Sequence, residues 1–397
     1  MHARLALNPH WLSLGAVFCA TLGVGLIFGF QPPLMAFVLA RQGATSFQIG
    51  AATSASTIAV ILLGPFYPSA IARWGLRYSI LAGIGVAIAA LLIMPWRSSF
   101  EAWLALRFVT GCALGLAWIA SEVWLNTLST DQTRSTVMGI YATVFAAGVM
   151  AGPLLLQLTG TAGVAPFYVG AVCLALTALP LYLSGQASSR TDREPRQKLQ
   201  LVRTLRVAPL AMMAALIAGL VESADISLLP VLGLRKGLDE HSSLHLVTLF
   251  LAGNVLLQFP ISTLADRLGR LRVLAGCASV SIIGPLLLGI LIGNPWLLPP
   301  LLLLWGGTMY GFYTQGIALL GDSYPPEELA AANAVFVVVY CAGGILGPSL
   351  GGVAMDLWSP NGLIAFLSCA PLLLLIAQLT LSAASASGYP TKDASQR

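Results

Sequence analysis

The sequence predicts an all-α membrane protein with 12 transmembrane helices, arranged as two pseudo-symmetric six-helix bundles with both termini cytoplasmic. Three observations lead there. Charged residues are only 9% of the 397, against 57% hydrophobic, whereas soluble domains carry about 25% charged residues. The apolar residues form long uninterrupted stretches, and the two halves repeat at a fixed offset. So few charges cannot cover a soluble surface, which excludes a disordered chain, a disulfide scaffold and a globular soluble enzyme.

A spanning helix needs about 20 predominantly apolar residues. Charges, turn signals and Pro/Gly breaks mark twelve such stretches, near 12–40, 47–72, 78–96, 103–128, 136–158, 164–184, 208–232, 243–265, 273–292, 297–321, 330–354 and 361–382. The first runs uncharged between Arg4 and Arg41, too long for a signal-peptide core, and is read as a retained helix. The stretches group into an N-terminal bundle (1–184), a basic linker (185–207), a C-terminal bundle (208–382) and a tail (383–397). The six cysteines all fall inside predicted helices without a C-x-x-C pair and read as small packing residues.

Orientation follows from Lys and Arg. One side holds Arg4, Arg73, Arg77, Arg134, the linker's Arg190, Arg193, Arg196, Lys198, Arg203 and Arg206, then Arg267, Arg270, Arg272, Lys392 and Arg397. The other holds Arg41, Arg97, Arg235 and Lys236, and Arg107 lies within a span. The excess predicts cytoplasmic termini and an even number of spans. The linker reads as a solvated connector or as a site for anionic lipid headgroups. No basic-aromatic run suggests a nucleic-acid footprint. His241 and His245 have metal-compatible spacing, but without a third ligand they read as an interfacial cluster.

The repeat is seen in separate segments. Gly25-Leu26 and Arg41-x-Gly43 recur as Gly219-Leu220 and Arg235-x-Gly237, and Arg73-x-Gly75 recurs as Arg267-x-Gly269. Gly148-x-x-x-Gly152-Pro153 recurs as Gly343-x-x-x-Gly347-Pro348. Two bundles repeated in the same orientation are a transporter signature.

Asp266-Arg267-Leu268-Gly269-Arg270-Leu271-Arg272 resembles the D-R-x-G-R loop of the major facilitator superfamily. The counterpart loop keeps Arg73, Gly75 and Arg77 but has Ala72 in place of the acid. Gly139, Gly148, Gly152 and Pro153 resemble that superfamily's antiporter-associated glycine motif, with Leu156-Gln157 where its closing Gly pair would stand. Arg107-Phe108-x-x-Gly111 is similar to its arginine motif. Glu122-x-Trp124-Leu125-Asn126, followed by Arg134, looks like a bacterial subfamily of largely uncharacterised permeases. The resemblance implies that spans one, four, seven and ten line a central cavity while three, six, nine and twelve face lipid. The cores of those last four are uncharged. It also implies that Asp266 meets the start of the fifth span near Thr133–Thr136, where a helix N-terminus favours negative charge, and closes the cytoplasmic side.

Ionisable residues inside a bilayer are expensive and functional by default. Four stand out: Arg107 and Glu122 in the fourth span, and Glu222 and Asp225 in the seventh. Glu222 and Asp225 share one helical face a turn apart. They read as a proton carrier, as a fixed anionic site for a cationic substrate, or as partners of a structural basic group. The repeat sets them against Phe28 and Gln31, so the acidic pair breaks the symmetry. Arg107 reads as an anion ligand or relay partner, or as a structural donor to helix carbonyls. It cannot reach Glu122, about 22 Å along the same helix; Glu122 reads as a cavity or gate residue. Gln31, Trp118, Tyr310, Tyr313 and Gln315 are expected to line the cavity, with an aromatic wall suited to an amphipathic solute. The Gly-Pro runs, Gly343, Gly347 and Pro348 included, are expected to serve close helix packing and a pivot.

The function expected is secondary transport of a small organic solute by alternating access, proton-coupled, with the truncated glycine motif tilting the direction toward export. Proton-coupled import of a metabolite and a transport-dead sensor of the same fold are the alternatives. No Walker loop, H-E-x-x-H or G-x-S-x-G occurs, so neither ATP-driven pumping nor enzyme chemistry is indicated. No cofactor or metal is expected; the partners are the solute, protons and the lipid bilayer. A monomer in a bacterial inner membrane is expected.

Overall fold

The computed structural model describes residues 9–130, 132–184 and 201–387. The expectations for Arg4, for the linker from 185 to 200 and for the tail beyond 387 lie outside these residues. The first half contains α1 (Pro9–Arg41), α2 (Ser46–Leu63), α3 (Tyr67–Trp74), α4 (Leu76–Ile93), α5 (Phe100–Leu128), α6 (Arg134–Thr159) and α7 (Ala165–Leu183). The second contains α8 (Leu201–Val207), α9 (Pro209–Arg235), α10 (Glu240–Leu268), α11 (Arg270–Leu291), α12 (Leu298–Ser323), α13 (Pro326–Leu357) and α14 (Asn361–Ser387).

Local chemistry explains several boundaries. Thr45 and Gln48 form a capping box at the start of α2, and Ser99 caps α5 through the amide of Ala102. Asp239 caps α10; hydrogen bonds from Ser242 hold its carboxyl below the usual carboxylate range. Gly75 and Gly269, equivalent in the repeat, end α3 and α10 with φ of 81° and 92°, a conformation costly for any residue with a Cβ. This is why the two arginine-rich loops keep their glycine while the residues after it differ.

The structure amends three details. The stretch at 47–72 is not one helix: α2 stops at Leu63, a 3₁₀ turn spans Gly64–Phe66, and α3 follows, because Pro65 and Pro68 cannot donate backbone hydrogen bonds. The linker's last residues form the seven-residue α8, with Thr204 buried and Arg203 paired to Glu328 at 2.9 Å. Among the described residues, eleven helices are long and apolar enough to cross a membrane, and α12 is not one of them. Its 26 residues reach about 39 Å, but Gly306, Gly307, Thr308 and Gln315 dilute its apolar character, and all four are buried. α12 packs between α9, α10 and α11.

The same device welds the front helices of each half. A Cβ on Gly148 would stand 2.4 Å from the Leu22 carbonyl oxygen, and one on Gly152 would stand 2.3 Å from the Phe30 amide. In the second half a Cβ on Gly343 would meet the Leu216 oxygen at 2.1 Å, and one on Gly347 the Leu220 oxygen at 1.9 Å. Bare backbones therefore press α6 onto α1 and α13 onto α9. Gly139, by contrast, has open space around it. On the outer faces of α4, α7, α11 and α14, large apolar side chains such as Val86, Leu176, Ile290 and Leu379 are exposed, as lipid-facing helices require.

Candidate functional site

Two walls face each other between the halves. On α9, Glu222 accepts a hydrogen bond from the Tyr340 hydroxyl of α13 at 2.5 Å, and the Tyr310 hydroxyl of α12 lies beside the same carboxylate. Tyr340 is delivered by the glycine contact just described, since it stands one turn before Gly343. Its ring meets that of Tyr313 at 5.1 Å, edge to face. On the first half, Phe145 of α6 stands one turn before Gly148 and stacks on Trp118 of α5 at 5.8 Å, with Phe28 of α1 closing the triangle at 5.8 and 6.1 Å. Glu122 of α5 lies within electrostatic reach of Tyr141 on its own side and of Tyr313 across the interface, so the walls are apposed.

The repeat relates the walls residue by residue. Phe28, Trp118 and Phe145 correspond to Glu222, Tyr313 and Tyr340. All six are half-buried. These three positions are all aromatic in the first half, with Glu122 one turn from Trp118; in the second half one of them is an acid dressed by phenol hydroxyls.

The remaining ionisable residues are placed as follows. Asp225, one turn from Glu222, is 0% exposed, and neither of its carboxylate oxygens has a hydrogen-bond partner. It lies within electrostatic reach of Glu222 and Tyr310. Arg107 is 4% exposed and already engaged: it donates to the Gln31 side-chain oxygen and, at 3.3 Å, to the Ala52 carbonyl. Gln31 in turn donates to the Met94 sulfur at 3.3 Å. The equivalent of Gln31 is Asp225, and the equivalent of Arg107 is Leu302, itself 0% exposed. The second half thus keeps the acid where the first has an amide, and has no arginine to meet it. Gln315 is buried on α12.

The loop residues separate into two kinds. Arg77 caps the end of α7, donating to Leu181 and Tyr182 carbonyls, and Arg270 caps α12 at the Ala318 carbonyl while pairing with Asp322 at 2.5 Å. Cations at helix C-termini are favoured by the dipole and the free carbonyls. Arg272 donates to Leu268 within its own loop. Asp266, Arg267 and Arg73 are exposed, as are Thr133 and Thr136, so in this conformation Asp266 is not seated on the α6 N-terminus.

The hydrogen bonds joining the halves gather at the opposite end, where α1 finishes and α2 begins. Arg41 pairs with Glu240 of α10 at 2.5 Å, and Thr161 bonds to both. Asp356 of α13 accepts from the amides of Ser46 and Phe47 at 3.0 and 2.9 Å and pairs with Arg235 at 3.4 Å. Deeper in, Ser54 bonds to Ser349 and to the Ile345 carbonyl, and Gln157 donates to Thr248. These two clamps are also related by the repeat: Arg41, Thr161 and Glu240 correspond to Arg235, Asp356 and Ser46. The acid has moved from one clamp's α10 position to the other's α13 position.

Sequence reasoning missed Tyr340, Phe145 and both clamps. Tyr340 and Phe145 were available as residues standing one turn before the matched glycine runs. The clamps had only lone loop charges to mark them. His241 and His245 make an edge-to-face ring contact at 4.5 Å, and no metal-binding group of His, Cys, Asp and Glu occurs among the described residues.

Comparison with known proteins agrees with this geometry. The chain is 25% identical over 349 residues to the uncharacterised MFS-type transporter YfkF of Bacillus subtilis, covering 87% of this chain and 89% of that one. It is 25% identical over 375 residues to the uncharacterised MFS-type transporter YcaD of Escherichia coli, covering 93% and 94%. A mutant of the nucleoside transporter NupG superposes with a TM-score of 0.80 at 15% identity, covering 93% of this chain and 99% of that one. A bacterial homologue of the human lysosomal transporter Spinster, in an inward-facing and unoccupied conformation, gives 0.68 at 12% identity, covering 96% and 95%. The family model of the Major Facilitator Superfamily matches residues 14–246 and 237–394. With this match running through both repeated bundles, the chain belongs to the major facilitator superfamily, as a multi-pass membrane transporter of a solute and not an enzyme.

Proposed function

We propose that the chain exports a small organic solute in exchange for protons, as a monomer in a bacterial inner membrane. In this reading α12 is also a span, the tenth of twelve, and both termini are cytoplasmic. One observation carries the coupling: Asp225 is fully buried, with both oxygens unpartnered, one turn from a second carboxylate. A charge there costs several kcal/mol, and binding a proton removes that cost. When the cavity rehydrates, the charged form is again affordable and the proton leaves. A proton crossing 100 mV is worth about 2.3 kcal/mol, enough to drive appreciable export. The structural alternative, an ion pair with a basic residue, finds no support, because Leu302 stands where the first half has Arg107.

The clamps support alternating access. They hold the end that the arginine distribution assigns to the outside, as an inward-facing state requires. Export is favoured by the resemblance of Gly139 to Pro153 to the antiporter motif.

Cells expressing the wild type and the Glu222→Gln/Asp225→Asn variant at matched levels test the proposal, with internal and external metabolites compared with and without a protonophore. A compound depleted inside only with the wild type, and restored by the protonophore, is expected. Enrichment inside would reverse the direction. Identical profiles would remove the acidic pair from transport.

A further inference from the structure

The cavity's charge balance points to the class of solute. Glu222 is half-buried on one wall, Glu122 approaches from the other side, and Asp225 stands a turn deeper with no partner. The basic residue embedded between them and the outer end, Arg107, is 4% exposed and spends its donors on Gln31 and the Ala52 carbonyl. Its repeat equivalent is Leu302. An anionic solute would therefore approach these carboxylates with no unengaged cation beside them among the described residues. On the facing half, Trp118 and Phe145 stack 16° from parallel, with Phe28 edge-on to Trp118. Aromatic faces attract cations through the ring quadrupole and flat apolar bodies through stacking.

We infer that the cavity takes an amphipathic organic cation: a protonated or quaternary nitrogen held at Glu222 beside the Tyr340 and Tyr310 hydroxyls, and a planar apolar body laid on Trp118 and Phe145. This rests on the reading of the same site as the transport cavity and adds a division of labour. Glu222, open to the cavity and held in place by Tyr340, recognises the solute's charge. Asp225, deeper and unpartnered, carries the proton. The Tyr340 hydroxyl hydrogen-bonds the Glu222 carboxylate and fixes its position on the wall. The aromatic trio sets size and flatness, and Glu122, one turn from Trp118 on α5, adds a second carboxylate on that side.

The test uses the purified full-length chain in detergent and two probes of nearly equal shape, N-methylacridinium and, at mildly alkaline pH, neutral acridine, with acridine-9-carboxylate as the anion. The wild type is expected to bind the cation at least about tenfold more tightly than acridine, and the carboxylate most weakly. Glu222→Gln is expected to remove that preference while leaving acridine binding in place, which also reports a folded cavity. Glu222→Asp restores part of it. Trp118→Ala weakens both cation and neutral probe. Asp225→Asn retains the cation preference but abolishes proton movement in pyranine-loaded liposomes when cation is added. Equal affinity for cation and neutral probe, an unchanged preference in Glu222→Gln, or failure of the cation to bind would overturn the inference. Proton-driven transport of a neutral solute would do so too, while leaving the coupling proposal standing. Cation preference with no proton movement in the wild type would instead break the coupling proposal and keep the substrate class.

Discussion

The two halves share a scaffold and differ in what they hang on it. In each, bare glycines press a front helix onto a neighbour, and an aromatic residue one turn before the first glycine is carried into the cavity. The first half fills that frame with Phe28, Trp118 and Phe145 and ties its buried polar pair, Arg107 and Gln31, to itself. The second fills it with Glu222, Tyr313 and Tyr340 and leaves Asp225 without a partner. The lesson is that repeated packing preserves geometry, while chemistry needs the repeat broken: an acid is useful for proton exchange only where its neighbour does not hold it charged.

The largest effect should come from the acid the symmetry leaves alone. Asp225→Asn is expected to abolish proton-linked transport, measured as pH change in liposomes, with unchanged expression, since an amide of equal shape meets the same buried pocket. Gln31→Glu, its counterpart, would gain an ion pair with Arg107 and should not take over coupling; a rescue by the double variant Gln31→Glu/Asp225→Asn would dissolve the distinction between the halves.

Next comes the shared frame. Gly152→Val and Gly347→Val put side chains into a facing backbone, and overpacking of this kind typically costs about 1–3 kcal/mol or more. Both variants should lose thermal stability in detergent and most of their transport. Gly139→Ala, with open space around it, should do neither. If Gly139→Ala behaves like Gly152→Val, the packing account of the motif is wrong.

Arg107→Ala should cost about 1–3 kcal/mol, because it strands the Gln31 side-chain oxygen inside the bundle. A thermal-shift assay reads this directly, and the expected signature is lost stability with a smaller change in coupling than Asp225→Asn. Greater loss of coupling than of stability would recast Arg107 as a relay.

The smallest effects belong to the outer clamps. The Arg41 and Glu240 side chains are 39% and 38% exposed, and a pair of that kind contributes about 0.2–1 kcal/mol. Arg41→Ala should therefore shift the inward–outward population by no more than about fivefold, measured by spin-label distances across the outer end. The Arg41→Ala/Glu240→Ala cycle should show coupling energy of that size. Breaking the Asp356 clamp as well should add to it, since the clamps sit on different helix pairs.

Much of the fold could be read directly. Hydropathy, loop arginines and the repeat place most of the helices, because a bilayer demands apolar length and a repeat preserves packing glycines. α12 is bounded as a span by charges and Pro breaks, yet its buried glycines, Thr308 and Gln315 leave it less apolar than the other long helices. The break between α2 and α3 was signalled by Pro65 and Pro68 and merged over because both sides are apolar. Glu222, Asp225 and Arg107 were visible as charges where charges are costly. What Arg107 touches was not.

By itself, the sequence determined the membrane class, the doubled bundle, the close-packed glycines and the identity of the embedded acids, since each of these is set by solvent, backbone or charge cost within one segment. The tertiary structure alone decided that Arg107 is consumed by Gln31, that Asp225 is left unpartnered, that Tyr340 reaches Glu222, and that the halves are clamped at the end opposite the loop arginines. Those are meetings between helices distant in the chain, and a side chain's partner depends on the rotation and depth at which whole helices pack.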